Sequence, residues 1–194
     1  MQRIIVITSI VIAAAAAGFA FQQRQATSEP PPATAVIEIA ASEQSIVAID
    51  NYAEQIAQWD GEARLINFWA TWCAPCRREI PLLKELQANK DVKQLQVIGV
   101  AVDYMEEVVA YAETAQFNYP ILVGQEAAME AAETSGVEFI GLPFSLLLSP
   151  SGELISTHVG EIKNEHIERM SGVMQALANG ELDVAEARSE LHSL

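Results

Sequence analysis

Asn67-Phe68-Trp69-Ala70-Thr71-Trp72-Cys73-Ala74-Pro75-Cys76-Arg77-Arg78-Glu79-Ile80-Pro81 holds the only two cysteines in a chain of 194 residues and places both at one junction. Leu65 to Ala70 is a short apolar run containing Phe68 and Trp69, which reads as a buried strand. From Cys76 to Ala88 the apolar residues Ile80, Leu83 and Leu86 recur at helical spacing. The cysteines therefore sit at a strand-to-helix turn, with Cys73 at or just before the first helical residue. Pro75 falls in the first turn, where its missing N–H costs nothing. Unpaired backbone N–H groups and the positive end of the helix dipole then face the Cys73 sulfur, favour its thiolate and lower its pKa. Cys76, three residues on, shares that helix face and lies close enough to attack a mixed disulfide on Cys73.

The pair admits several chemistries. A structural zinc site would need two more ligands, and beyond carboxylates the chain offers only His158, His166 and His192. A purely structural disulfide across so short a loop would stabilise little, because the entropic gain grows with loop length. A copper or haem delivery chaperone could use the dithiol as a soft ligand, but it would be expected to carry Met or His beside the pair, and Met105 and Met129 are far off in sequence. Redox chemistry needs only what the turn supplies and is the favoured reading. No glycine-rich phosphate loop is visible, and no cofactor is expected.

At these residues the sequence resembles the thioredoxin superfamily, and within it the TlpA-like and ResA-like periplasmic thiol-disulfide oxidoreductases. The likeness is close over Leu65 to Pro81 and extends more loosely to about Gly160. Gly141-Leu142-Pro143, followed by Phe144 to Pro150 and Gly152, looks like the family's second signature. The resemblance implies a thioredoxin-like α/β fold whose central mixed sheet is flanked by helices, with a central strand-helix-strand insertion for which Leu95 to Val137 has the right size. It implies a redox disulfide between Cys73 and Cys76, with Cys73 attacking and Cys76 resolving, and Glu79 as the acid near the buried thiol. Pro143 is implied as a cis-proline facing the active site; a cis bond there would turn the Leu142 backbone toward Cys73 as an edge for an extended substrate, and Trp72 is expected beside the sulfurs on the substrate side. The residues after the proline are Phe144-Ser145, where the family often has threonine, so no substrate preference carries over.

Proton handling is expected to fall to Glu79. Asn67 stands where the resembled cytosolic thioredoxins have a buried aspartate, and Glu79 is three residues after Cys76 on the same helix face. A partly buried carboxylate there would have its pKa raised and could take the Cys76 proton. The competing reading makes Glu79 one solvated charge among Arg77, Arg78, Lys84 and Glu85. Pro81 lies inside the predicted helix, Trp69 is read as core and Trp72 as an apolar rim shielding the sulfurs.

Outward from this centre, four segments are expected. Residues 1–21 carry the apolar run Ile4 to Phe21, eighteen residues that would make about 27 Å of helix at 1.5 Å per residue, close to a bilayer core of about 30 Å. It reads as an uncleaved signal anchor, with a long signal peptide as the alternative. Residues 22–35, with Glu29-Pro30-Pro31-Pro32, read as an extended tether. Residues 36–180 form the thioredoxin-like domain and residues 181–194 an acidic C-terminal tail, with a short final helix conceivable and no function assigned. Within the domain, strands are predicted at Val36 to Ile39, Ile46 to Ile49, Leu95 to Val102 and Tyr119 to Val123. A hairpin follows from Phe144 to Val159, and helices are predicted at Asn51 to Gln58, Glu106 to Ala115 and Ala127 to Thr134. Asn164 is expected to cap a closing helix that runs to Ala178.

The formal net charge of −15 argues against nucleic acid and against adhesion to anionic lipid surfaces. With an exported domain, the expected place is the periplasmic or extracytoplasmic side of the inner membrane. The expected partners are exported protein disulfides, such as the haem-binding cysteines of apocytochrome c, and a thiol-type electron donor in the membrane.

Overall fold

A computed structural model describes residues 45–89, 95–136 and 140–192. Its chain divides into two units, residues 1–35 and 36–194, and every described residue belongs to the second. The predicted anchor, tether and Val36 to Ile39 strand lie outside the described residues.

The element order is β1 (Ile46–Ala48), α1 (Tyr52–Ala57), β2 (Arg64–Trp69), α2 (Ala74–Ala88), β3 (Gln96–Ala101), α3 (Met105–Ala115), β4 (Ile121–Val123), α4 (Glu126–Thr134), β5 (Phe144–Leu148), β6 (Leu154–Val159), α5 (Asn164–Ala178) and α6 (Val184–Glu190). The strands form one sheet in the order β1-β4-β3-β2-β5-β6. The first four run parallel, and β5 and β6 are antiparallel to their neighbours. The expected central mixed sheet with helices on both faces is therefore present. Residues 96–134 supply β3, α3, β4 and α4, with β4 between β1 and β3 in the sheet.

Every residue of β2 and β3 is buried, which is why both read as continuous apolar runs rather than alternating ones. One face of the sheet packs Leu65, Trp69, Val97, Ala101 and Ile121 against Leu83 and Leu86 of α2, Val108 of α3 and Ile167, Met170 and Met174 of α5. The other face packs Ile66, Phe68, Ile98, Val100 and Phe144 against Ile56 of α1 and Ala128, Ala131 and Ala132 of α4. Gly99 is required by closeness: a Cβ there would lie 2.6 Å from Ile121 Cδ1 and 3.1 Å from Trp69 Nε1, so its absence lets the Trp69 indole lie across β3.

Among the boundaries that differ from the sequence reading, those of β2 and α5 have a local reason. β2 starts one residue earlier, at a buried Arg64 whose guanidinium donates to Asp60 Oδ1 (2.7 Å) and the Ile56 carbonyl (3.2 Å). Asn164 is the first helical residue of α5 rather than its cap: Lys163 occupies the cap position, and its N–H donates to His166 Nδ1 (3.1 Å). Residues 181–192, the described part of the acidic C-terminal segment, contain the short final helix α6. Asp183 caps α6 by accepting from the Glu186 N–H (2.8 Å), and Ala187 and Leu191 are fully buried in the core.

Candidate active site

β2 is central in the sheet, and the chain leaves its C-terminal end through a four-residue turn into α2. Cys73 is the N-cap of α2, with extended φ and ψ of −85° and 103°, and its sulfur accepts the Cys76 N–H at 3.3 Å. The cysteine thus fills the place where a serine or aspartate would cap the helix, and the helix start acts on the sulfur directly. Pro75 sits in the first turn, where it sacrifices no hydrogen bond. Cys73 and Cys76 form a disulfide with Cα atoms 5.3 Å apart. Cys73 keeps 5% of its surface exposed and Cys76 none, so a partner sulfur meets Cys73 first.

Glu79, three residues after Cys76 on α2, is 1% exposed, so it is not the solvated surface charge of the competing reading. Its Oε1 accepts from Asn67 Nδ2 (2.8 Å) and its Oε2 from the Ile162 N–H (2.6 Å). Burial pushes its carboxyl up from 4.5 to about 7; the two hydrogen bonds pull against that shift, and nearby Glu161 adds to it. Glu161 itself is held below the usual carboxylate range by its hydrogen bond to Arg78. Tyr119, fully buried, is held well above the usual phenol range by burial, with Glu79 adding to the effect.

Asn67 supplies the side-chain donor to Glu79. Its amide donates to Glu79 and also to Ser145 Oγ (3.0 Å), its register partner on β5. The Leu142–Pro143 peptide bond is cis. Because β5 runs antiparallel to β2 with Phe68 opposite Phe144, Pro143 stands at the same sheet end as the Cys73 turn. The Pro143 carbonyl accepts from the Gly160 N–H (2.9 Å), so the segment 160–162 touches both the proline loop and Glu79. Leu142 is half-buried against the core, whereas Trp72 is 67% exposed. Trp69 is 1% exposed, its ring packed against those of Tyr111 and Phe117.

Two participants had no place in the sequence reading. Ile162 acts through its backbone N–H, which leaves no mark on residue type. Asp103 follows β3 and binds the turn that carries Cys73; an aspartate at the C-terminal end of a parallel strand beside the active-site strand was its only sequence signal. Among the described residues no group of three or more His, Cys, Asp or Glu side chains could hold a metal ion.

Fold and site together define a thiol-disulfide oxidoreductase of the thioredoxin fold. The chain belongs to the AhpC/TSA family, whose model matches residues 48–157. It is 27% identical over 133 residues to the thioredoxin-like protein YneN of Bacillus subtilis, covering 66% of this chain and 75% of that one. It is 29% identical over 135 residues to the thiol-disulfide oxidoreductase ResA of Bacillus thuringiensis subsp. konkukian, covering 68% of this chain and 76% of the relative. Among solved structures, a thiol:disulfide interchange protein of the thioredoxin family from Chlorobium tepidum aligns with a TM-score of 0.54 at 27% identity, over 61% of this chain and 83% of that one.

The Glu79 geometry makes stability depend on pH in a definite sense. From about pH 4.5 to 7 the folded chain keeps a proton on Glu79 that the unfolded chain releases, so this contribution is complete at low pH and is lost as pH rises through 7. The loss is on the order of 3 kcal/mol. Urea unfolding of the oxidised protein at pH 5 and pH 8 checks this: wild type should lose more stability across that interval than Glu79→Gln. Equal losses in both proteins would show that Glu79 does not titrate in this range.

Proposed function

We propose that this chain is an exported, membrane-tethered thiol-disulfide oxidoreductase that reduces disulfides in exported proteins. The observation that carries the reading is a disulfide whose outer sulfur caps a helix, with a buried carboxyl of raised pKa three residues beyond the inner cysteine on the same helix.

The chemistry follows from that arrangement. The Cys73 thiolate attacks one sulfur of a substrate disulfide, which forms a mixed disulfide and expels the other substrate sulfur as a thiolate. The Cys76 thiol gives its proton to the Glu79 carboxylate and attacks the Cys73 sulfur. The second substrate thiolate leaves, the substrate has gained two electrons, and the protein holds the Cys73–Cys76 disulfide over a protonated Glu79. A dithiol donor of the membrane then returns the two electrons. The reducing direction is the part most sensitive to small forces, since 30 mV corresponds to about 1.4 kcal/mol.

A polypeptide substrate is favoured by the surface around the sulfurs. Tyr104, Trp72, Ile140 and Val159 are 56%, 67%, 64% and 55% exposed. They follow β3, follow β2, precede β5 and end β6 in that order, so they line one end of four adjacent strands. Three strand spacings of about 4.8 Å give a rim of roughly 14 Å, wide enough for several residues of an extended chain. Trp72, Leu142 and Pro143 are assigned to substrate contact on this rim, the backbone before Pro143 offering an edge for main-chain hydrogen bonds. Apocytochrome c, with its paired haem-binding cysteines, is the substrate proposed from the ResA-like resemblance. Export and tethering are supported by the length and apolar character of Ile4 to Phe21 and the proline-rich residues after it.

The assignment of the two sulfurs is tested with a synthetic peptide containing a Cys-x-x-Cys disulfide. Cys76→Ser should accumulate a mixed disulfide with the peptide through Cys73, reversible by dithiothreitol, and Cys73→Ser should not; preferential alkylation of Cys76 by iodoacetamide in reduced wild type would sink the assignment. For the tether, carbonate-washed membranes should retain a chain that starts at Met1 or Gln2. A soluble mature protein starting after Ala17 or Ala20 would overturn it.

A further inference from the structure

The turn that carries Cys73 is held from outside by a side chain 32 residues away in sequence. Asp103 Oδ2 accepts both the Thr71 N–H (2.8 Å) and the Thr71 hydroxyl (2.7 Å), and its Oδ1 accepts the Tyr104 N–H (2.9 Å). Asp103 is 4% exposed, and with three donors on its two oxygens its burial is compensated by hydrogen bonds. Two backbone bonds frame the same corner, Val102 N–H to the Trp69 carbonyl (2.8 Å) and Cys73 N–H to the Ala70 carbonyl (3.2 Å). The Asp103 contact is the side-chain tie between them. Thr71 lies between the end of β2 and the cap position, so its location sets how the chain arrives at Cys73. The neighbouring Trp72 is largely exposed.

We propose that Asp103 is a positioning residue for thiol-disulfide exchange: by pinning Thr71 it keeps Cys73 at the helix cap, where the sulfur meets the Cys76 N–H. This rests on Cys73 being the attacking thiol, and it adds a residue to the reaction that never touches the reacting atoms. The geometry and the charge of Asp103 pull in opposite directions, which makes the proposal separable from a simple field effect. Loss of the pin releases Cys73 from the cap and raises its thiol pKa toward the ordinary value of about 8.5. Loss of the negative charge alone would lower that pKa. The described charged groups on the elements around the turn are Arg77, Arg78 and Glu79 on α2, Glu106 and Glu107 in the first turn of α3 and Glu161 before α5, and the variants below leave all of them in place.

The experiment follows alkylation of Cys73 by iodoacetamide against pH in the reduced full-length chain, resolved by peptide mass spectrometry. Asp103→Ala should move the midpoint upward by about one pH unit and slow alkylation below it about tenfold. Asp103→Asn, which keeps an oxygen for Thr71, should recover most of the wild-type profile. Thr71→Val, which removes only the hydroxyl, should shift the profile the same way by less, and adding it to Asp103→Ala should change little further, as expected for partners in one contact. A downward shift in both Asp103 variants would reduce the residue to a charge. An unchanged midpoint in a folded Asp103→Ala protein would reduce it to scaffold, and should that variant not fold, an unchanged midpoint in Thr71→Val overturns the proposal instead. Failure of the underlying assignment is distinct, because it would show as alkylation of Cys76 ahead of Cys73 in wild type.

Discussion

The site depends on one imbalance: a carboxyl group is buried with only two hydrogen bonds to hold it. Glu79 accepts from Asn67 Nδ2 and the Ile162 N–H, and those two bonds recover only part of the solvation that burial removes. The nearby Glu161 charge adds to the upward shift, but burial is its main cause. As it stands, Glu79 changes protonation near neutrality, which is where a proton acceptor for a resolving thiol is most useful. The sheet position of Asn67 also matters, because its amide must reach upward to Glu79 and sideways to Ser145 from the middle of a strand with no exposed residue.

The second constraint is the segment Gly160 to Ile162, which joins three parts of the site. Gly160 donates to the Pro143 carbonyl and has a positive φ of 108°, a conformation that favours glycine. Glu161 pairs with Arg78 of α2, and Ile162 donates to Glu79. The loop proposed to meet substrate and the acid proposed to take the proton are therefore held by neighbouring residues of one short connection. This connection leads into α5, whose Ile167, Met170 and Met174 fix it to the core.

The sequence made the nucleophilic turn legible because local rules govern it: an apolar strand, a cysteine in the cap position, a proline in the first turn, and Ile80, Leu83 and Leu86 at helical spacing. β3 was readable for the same reason, as a continuous apolar run. Local rules put Glu79 on the Cys76 face of the helix as a partly buried acid but left open a solvated position; its full burial is a long-range matter. Its neighbours Arg77, Arg78 and Glu85 make the helix look solvated, and only the approach of β2 and of residue 162 buries that one position. Ile162 and Asp103 were missed because their roles come from long-range partners, a backbone N–H in one case and a contact across two strand ends in the other. The acidic composition of residues 181–192 concealed Ala187 and Leu191, two apolar positions that suffice to dock a seven-residue helix. Asn164 was misplaced by one residue because Lys163 uses a histidine ring, rather than its own side chain, to close the helix start.

The central claim is that Glu79 is a buried group that takes up a proton near neutral pH and is coupled to the cysteine pair. The most direct test is a carbon-13 NMR titration of side-chain carboxyls in glutamate-labelled protein, with the Glu79 resonance assigned by its absence in Glu79→Gln. In the oxidised protein its midpoint should fall at about 7, and reduction of the disulfide should move it. A midpoint near 4.5 in both redox states would contradict the account.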